Sequence, residues 1–553
     1  LRSVAEREAV SYNEVCYERL IFLIIRRESK PLMPIPQVRK QQLRNGVISV
    51  NRRAVRFDRP LEDAREGVLA MLGLGEMNPN DSGVMISFRQ NSTLAPEQYQ
   101  IAADETGVLV KAGDRAAAVY AAATIAQLFA EHEGLLPLGE IEDAPEKPWR
   151  GLLIDVCRHF FPMQTVKTLV DLMAYHKYNR LHLHLTEDQG FRFESERFPL
   201  LNSVGSYRKS TFVKHTEFKG EDGVLHGGFY TKAELRELVR YAKARGIEIV
   251  PEIDMPGHAL SMIAAYPELA CVNEPVEVAT RFGVTDFSNK LFCAGREETF
   301  TFLFSLLDEV MELFPYSYLH IGGDEALKSE WKRCERCQRV MREQGLKNER
   351  ELQGHFLNRV IAYLEEHGRR AIVWNDGLCD TLSKSAIVQY WTPLSHNGPA
   401  RMAQYVNVGG KAILSSVTRV YYDYPYAATP LKKTYAYRPT LCGVRKKRQE
   451  NILGVEAAIW TEWIDTEEKL FFNTLPRIAA TAETGWAAPE RANYDAFIER
   501  LQPHYRLYER LGLTYAKQME KPMPPFKRFK GTLTFVTKET HAELRKQQYQ
   551  EKV

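Results

Sequence analysis

The sequence predicts an α/β protein in which a (β/α)8 TIM barrel follows a small α+β domain. Beyond Trp149, eight continuous apolar runs alternate with helical patterns, which is typical of strands buried on both faces of a parallel sheet. Eight parallel strands suit a closed barrel. Before Trp149, shorter runs separated by Gly and Asn accompany a single helical segment, as expected for a small α+β unit.

Domain limits follow from these patterns. We predict an N-terminal extension over residues 1–33, the small domain over 34–147, the barrel over 148–510 and a C-terminal extension over 511–553. The polar segment 142–148 carries two prolines and is the predicted linker between the domains.

The elements are predicted in chain order. In the small domain we expect strands at 47–50 and 84–88, with Asn45-Gly46 as the turn that opens the first, and a helix at 115–131. Barrel strands are expected at 151–156, 180–185, 247–253, 318–321, 371–374, 387–390, 412–414 and 453–459. Barrel helices are expected at 165–176, 232–245, 297–313, 351–366 and 467–481.

Composition excludes several classes of protein. The chain is 44% hydrophobic, 26% charged and 11% aromatic, as in globular proteins. Its 74 basic and 71 acidic residues leave a formal charge of +3, so we expect no nucleic-acid partner. Without an apolar run of about eighteen residues, we expect no integral membrane association. Sparse cysteines and no visible signal predict a cytoplasmic protein, or a secreted one if a signal peptide was removed.

Polar and aromatic residues follow the predicted barrel strands, at the face where barrel enzymes place their functional side chains. They are Arg158, Glu187, Asp188, Asp254, His258, Asp324, Glu325, Trp374, Trp391, Tyr421, Asp423, Trp460 and Glu462. Aromatic rings stack on the apolar faces of sugars, and charged groups bind the hydroxyl edges. This ring therefore predicts a neutral sugar substrate.

The sharpest signal is the acidic pair that ends Leu319-His-Ile-Gly-Gly-Asp-Glu325. The two glycines free the backbone to turn at the strand end, so neighbouring carboxylates can reach one substrate. One carboxyl group can then protonate a leaving oxygen while the other stays ionised near developing positive charge.

Five motifs together resemble glycoside hydrolase family 20, the β-N-acetylhexosaminidases. The resemblance extends from about Pro34 to Pro489, and its motifs begin at Arg150, His182, Pro251, His320 and Ala458: RGLLIDVCRHF, HLHLTEDQG, PEIDMPGH, HIGGDE and AIWTE. It implies a retaining exo-enzyme that removes terminal β-linked GlcNAc or GalNAc from glycans, in which the substrate's acetamido group is the nucleophile and an oxazolinium intermediate forms. A lacto-N-biosidase-like member of the family is the alternative.

The resemblance also implies roles for single residues. Glu325 is the general acid and then the base, Asp324 holds the acetamido N–H, and Tyr421 bonds the acetamido carbonyl oxygen. His258 pairs with an acid near the general acid, and Asp188 is its expected partner, with Asp254 nearby. The substrate-binding residues are Arg158, Trp374, Trp391, Asp423, Trp460 and Glu462, with Tyr435 near a position where some members have a tryptophan; Glu187 stands where an aspartate is common.

Metal chemistry is the main alternative. His182-Leu-His184 has the spacing of a barrel metal site that His258 and Asp324 could complete, as in amidohydrolases, although both histidines could equally fill the barrel interior. Cys334-Glu-Arg-Cys337 has zinc-knuckle spacing, but the sequence shows no second pair of ligands. We therefore predict no metal and no cofactor. A sugar-binding protein without catalysis is the non-enzyme alternative, which would lack the acid that Glu325 supplies.

Overall fold

The computed structural model describes residues 34–75, 83–214, 219–282, 290–393, 398–488, 493–521 and 523–533. It confirms the predicted fold class, because a closed eight-stranded parallel barrel follows a smaller closed sheet. The predicted N-terminal extension, and the C-terminal extension beyond residue 533, lie outside the described residues. The domain limits remain predictions.

The described part of the small domain has five strands in the order β1-β2-β4-β3-β5, and β5 pairs back with β1. Strands and helices are β1 Lys40–Phe57, α1 Arg65–Leu74, β2 Val84–Gln90, β3 Tyr99–Asp104, β4 Gly107–Ala112, α2 Arg115–Glu131 and β5 Leu135–Asp143. Asn45-Gly46 is not a turn that opens a strand, as predicted, but lies inside β1 where the register with β5 shifts. Gly46 has a φ of 113° there, so this feature is a bulge.

The barrel strands pair in chain order, and the eighth returns to the first. They are β6 Trp149–Asp155, β7 Arg180–His184, β8 Glu248–Glu252, β9 Tyr318–His320, β10 Arg370–Trp374, β11 Ile387–Tyr390, β12 Lys411–Leu414 and β13 Ile452–Ile459. All eight predicted strands are present, with ends within two residues of the prediction. Among the residues that the structure describes, three two-stranded sheets follow β7. They pair Thr186–Glu187 with Gly190–Phe191, Tyr207–Arg208 with His226–Gly227, and Phe212–Lys214 with Lys219–Glu221.

Helices surround the barrel and extend its loops. They are α3 Met163–Tyr175, α4 Lys232–Ala244, α5 Leu260–Ala265, α6 Glu297–Leu313, α7 Ser329–Arg333, α8 Glu335–Glu343, α9 Glu349–Glu366, α10 Pro399–Asn407, α11 Leu431–Tyr435, α12 Glu467–Thr474, α13 Arg477–Trp486 and α14 Tyr494–Arg510. The predicted helix at 467–481 is in fact two helices, because Pro476 has no N–H to continue the first one. In the described parts of the chain, no helix is both long and apolar enough to span a membrane.

The barrel interior is layered. At the amino ends of the strands, Trp149, Val250, Ile372, Ile387 and Ile413 form an apolar layer. A polar layer follows, in which Glu456 accepts hydrogen bonds from Trp149 and Gln389 at 2.8 and 2.7 Å and contacts His182 at 2.8 Å. The third layer, at the carboxyl ends, is aromatic and opens on the site described next.

Candidate active site

Asp324 and Glu325 lie on a tight backbone turn directly after β9. Gly322, Gly323 and Glu325 have φ angles of 64°, 101° and 46°, which is the left-handed region that favours glycine. A Cβ atom on Gly322 would lie 1.6 Å from a carboxylate oxygen of Asp254, so only glycine fits there. The turn makes consecutive side chains converge: His258 Nε2 lies 3.6 Å from Asp324 Oδ2 and 3.8 Å from Glu325 Oε2.

The partner of His258 differs from the expectation. Its Nδ1 contacts Glu187 Oε1 at 2.7 Å, whereas Asp188 was predicted to be the partner. Asp188 lies close by but accepts the backbone N–H of Leu260 at 2.8 Å. The longer Glu187 side chain reaches the imidazole, while the shorter one holds the start of α5. Asp188 thus lies beside His258 and holds the start of α5, and its catalytic role stays a prediction.

Burial and neighbouring charges shift the pKa values of the titratable groups in this cluster. Burial raises the pKa of Asp324 to about 6, with contributions from Glu252 and Glu325 that His258 partly offsets. Burial and the Asp324 charge also raise the pKa of Asp254 well above its usual range. Burial alone would lower the pKa of His258, but Glu187 and Asp324 raise it well above its usual value. At neutral pH the site therefore combines a cationic imidazole with at least one ionised carboxylate.

Four aromatic side chains line the space beside the acids. Trp391 and Tyr421 lie nearly parallel, with ring centroids 6.2 Å apart, and Trp460 lies 6.3 Å from Tyr421 and 5.9 Å from Trp374. Two indoles are fixed by hydrogen bonds, since Trp374 donates to Glu252 at 2.8 Å and Trp391 donates to Asp376 at 2.8 Å. The rings therefore form a preorganised wall.

Charged groups lie next to the aromatic wall. Arg158 is nearly buried and contacts Glu187, Asp155 and Glu462 at 2.9, 3.3 and 3.9 Å. Its guanidinium also lies 5.1 Å from the ring of Trp460. This arrangement fixes a cation beside the aromatic wall, as recognition of sugar hydroxyls requires.

Tyr421 and Asp423 lie together after β12. The Tyr421 backbone pairs with Ala458 of β13, which places its ring at the barrel mouth. Burial raises the pKa of Tyr421 well above its usual value; a hydrogen bond from Trp460 opposes this shift, and the Asp423 and Asp324 charges add to it. The phenol is therefore a hydrogen-bond donor at neutral pH, within electrostatic reach of Asp324.

Tyr435, predicted to bind substrate, is a core residue instead. Its ring stacks on Phe497 at 4.5 Å, and its hydroxyl donates to the carbonyl of Asn493 at 3.1 Å. Helix α11 turns this side chain toward α14 rather than toward the barrel mouth. The prediction rested only on the position of Tyr435 along the chain, near the place where some family members have a tryptophan.

The predicted amidohydrolase ligand set does not assemble among the described residues. His182 groups with Glu252 and His320, whereas His258 groups with Asp254 and Asp324. His182 and His184 instead belong to the buried polar network, where both approach Glu252. They fill the barrel interior, which was the other expectation for them.

Two functional contributors escaped the sequence analysis. Glu252, at the end of β8, orients Trp374 and approaches three histidines. Asp376 holds the indole of Trp391. An acidic residue inside an apolar strand does indicate a buried polar network, because a buried carboxylate needs hydrogen-bonding or charged partners. The partners of Asp376 could not be inferred from the sequence.

Comparisons with known families match both domains. The family model described as "Glycosyl hydrolase family 20, catalytic domain" matches residues 148–489, and the model described as "Glycosyl hydrolase family 20, domain 2" matches residues 34–144. The chain belongs to glycosyl hydrolase family 20. This membership confirms the resemblance inferred from the five motifs.

Relatives of this family 20 chain carry consistent names. A β-hexosaminidase of Porphyromonas gingivalis is 35% identical over 80% of the chain, and the match spans 57% of that relative's length. A β-hexosaminidase of Akkermansia muciniphila is 34% identical, with 76% of the chain and 85% of the relative covered.

Solved structures agree. A β-N-acetylhexosaminidase of Bacteroides fragilis superposes with a TM-score of 0.75 at 28% identity, covering 89% of this chain and 99% of that one. An exo-β-N-acetylglucosaminidase of Vibrio harveyi, in complex with N-acetylglucosamine, gives a TM-score of 0.76 at 26% identity, with 88% and 79% covered.

Proposed function

We propose that this family 20 chain is a retaining exo-β-N-acetylhexosaminidase that removes terminal β-linked GlcNAc or GalNAc from glycans. One observation carries the proposal: two consecutive carboxylates, Asp324 and Glu325, converge on one imidazole nitrogen beside a wall of four aromatic rings. The names of the relatives support the same activity.

The acetamido group of the substrate acts as the nucleophile. Its carbonyl oxygen attacks the anomeric carbon while Glu325 gives a proton to the leaving oxygen, and an oxazolinium ion forms. Water then attacks the anomeric carbon from the face that the leaving group left, and Glu325 takes a proton from this water. Two inversions give net retention of configuration.

Asp324 and Tyr421 hold the acetamido group in position for attack. The Asp324 carboxylate accepts the amide N–H and stabilises the positive charge that develops on the nitrogen, while the phenol of Tyr421 donates to the carbonyl oxygen. Both side chains are largely buried, so their charges and dipoles act with little screening by water. A carboxyl group with a pKa of about 6 is ionised at neutral pH.

The remaining side chains close the pocket. Trp374, Trp391 and Trp460 enclose the acetamido methyl group and the sugar ring. Arg158, Asp423 and Glu462 bind the hydroxyls at positions 3, 4 and 6 of the terminal sugar. A pocket that grips those hydroxyls has no room for a further residue, which restricts cleavage to chain ends.

The test combines substrates with an inhibitor. We expect release of p-nitrophenol from the β-GlcNAc glycoside, and competitive inhibition by a thiazoline analogue of the oxazolinium ion. Activity without thiazoline inhibition would contradict the proposed nucleophile. The p-nitrophenyl glycosides of GalNAc and lacto-N-biose are tested as well. Release from the lacto-N-biose glycoside alone would show a disaccharide-releasing enzyme. Hydrolysis of none of the three glycosides would contradict the function.

A further inference from the structure

Four cysteines from three separate parts of the sequence come together in the structure. Cys271 and Cys293 belong to the long segment after β8, and Cys334 and Cys337 flank the start of α8. All four are buried, and their sulfur atoms all lie within 4.8 Å of one another. The expectation that Cys334 and Cys337 lack a second pair of ligands is therefore wrong.

The spacing of the sulfur atoms matches tetrahedral metal coordination. Zinc–sulfur bonds of about 2.3 Å at tetrahedral angles place neighbouring sulfurs about 3.8 Å apart. Sγ of Cys337 lies 3.7 Å from that of Cys271 and 3.7 Å from that of Cys293, and Cys293 lies 3.9 Å from Cys334. A disulfide would instead bring two sulfurs to about 2.05 Å.

The surroundings suit a cluster of thiolates. The backbone N–H of Gly295 and the guanidinium of Arg336 hydrogen-bond the Cys293 sulfur, as groups around a metal–thiolate centre commonly do. Arg336 also donates to the carbonyl oxygen of Cys271 at 2.6 Å. A Cβ atom on Gly295 would lie 2.3 Å from the backbone of Arg336, so the two ligand-bearing segments approach as closely as glycine permits.

We propose that Cys271, Cys293, Cys334 and Cys337 bind one structural zinc ion. Four thiolates complete a tetrahedral site and leave no open position for a substrate or water, so the ion's role is to join two loops rather than to catalyse. The ligand set also favours zinc or iron over magnesium and calcium, which prefer oxygen ligands.

The proposed site supports the catalytic loops through Phe292. The N–H of Phe292 donates to the carbonyl oxygen of Pro256 at 3.0 Å, two residues before His258. The carbonyl oxygen of Phe292 accepts the indole N–H of Trp331 at 3.0 Å, in the segment that follows Glu325. By fixing the segment that contains Phe292, the ion would stabilise the relative positions of the loop that carries His258 and the loop that carries the acidic pair.

Metal analysis of the full-length protein, purified in reductant, tests the proposal directly. We expect about one zinc per chain in the wild type and in the control Cys442→Ser, whose cysteine is exposed and outside the cluster, and almost none in Cys337→Ser. Cobalt substitution should give the intense absorption of tetrahedral cobalt thiolate. Absence of zinc from the wild type after reconstitution with Zn²⁺, or full retention in Cys337→Ser, would overturn the proposal.

Thiol counting distinguishes the zinc site from a pair of disulfides even if Cys337→Ser fails to fold. Wild-type protein purified without reductant and then unfolded with chelator should show all eight thiols. A count of four would show two disulfides and overturn the zinc site. This outcome is independent of the proposed function, because it requires no activity measurement.

Discussion

Replacing Asp324 by Asn should strongly lower activity and yet stabilise the fold at neutral pH. The carboxyl group is buried with a pKa of about 6, against an ordinary 3.8. Because the folded state holds this proton more tightly than the unfolded state, ionisation destabilises the fold as the pH rises from about 4 to 6. Two pKa units correspond to about 3 kcal/mol at pH 8, and to about half of that at pH 5. Coupling to Asp254 and His258 reduces the gain from substitution to roughly 1–3 kcal/mol.

Urea denaturation of wild type and Asp324→Asn at pH 8 and pH 5 measures this gain. We expect a larger free energy of unfolding for the variant at pH 8 and a smaller advantage at pH 5. Its kcat should fall at least about 100-fold, as when other electrostatic groups of a transition state are removed. Asp380→Asn is the matched control, since the Asp380 side chain is 88% exposed. A variant that is less stable at pH 8, or equally stabilised at both pH values, would refute the reasoning.

Three further substitutions separate the roles of the site. In Glu325→Gln, kcat for an alkyl or sugar leaving group should fall about 100- to 10,000-fold because proton transfer is lost, with KM nearly unchanged; equal losses for p-nitrophenol and sugar leaving groups would argue against this role. In Arg158→Lys, the paired guanidinium contacts are lost, so kcat/KM should fall about 10- to 100-fold; wild-type kinetics would exclude a grip on the sugar. In Tyr435→Phe, the free energy of unfolding should fall by about 1–3 kcal/mol because the hydrogen bonds with Asn493 are lost, while kcat and KM stay unchanged. A raised KM would instead indicate that Tyr435 binds the substrate.

The pH dependence of kcat/KM follows from the same acid. Asp324 must be ionised to stabilise the oxazolinium ion, and its pKa is about 6 in the free enzyme. We expect kcat/KM to fall as the pH drops through this value. An acid limb near pH 4, where an exposed carboxyl group titrates, would contradict this assignment.

Periodicity predicted the barrel because each strand is a short apolar run buried on both faces, and such runs differ from the amphipathic helices between them. The order of polar residues after these strands also predicted most of the site, since the carboxyl ends of parallel strands meet at one face. The single predicted helix at 467–481 failed at Pro476, where the backbone cannot continue its hydrogen bonds.

Contacts between distant segments were harder to predict. Glu187 and Asp188 are adjacent, and only the path of the backbone decides which one reaches His258. Tyr435 could be placed only after α11 was seen to pack on α14. Cys271 and Cys293 meet the Cys334-x-x-Cys337 motif only through long loops. Even Cys293 and Cys334 are 41 positions apart in the sequence, and no local pattern indicates such a contact.

The most direct test of the account is a series of p-nitrophenyl glycosides whose acetamido methyl group carries no, one, two or three fluorines. Fluorine withdraws electrons from the amide oxygen and weakens it as a nucleophile, while the leaving group stays the same. We predict that kcat falls steeply with each added fluorine, because this oxygen attacks the anomeric carbon. A kcat that does not change across the series would contradict the claim that the nucleophile belongs to the substrate.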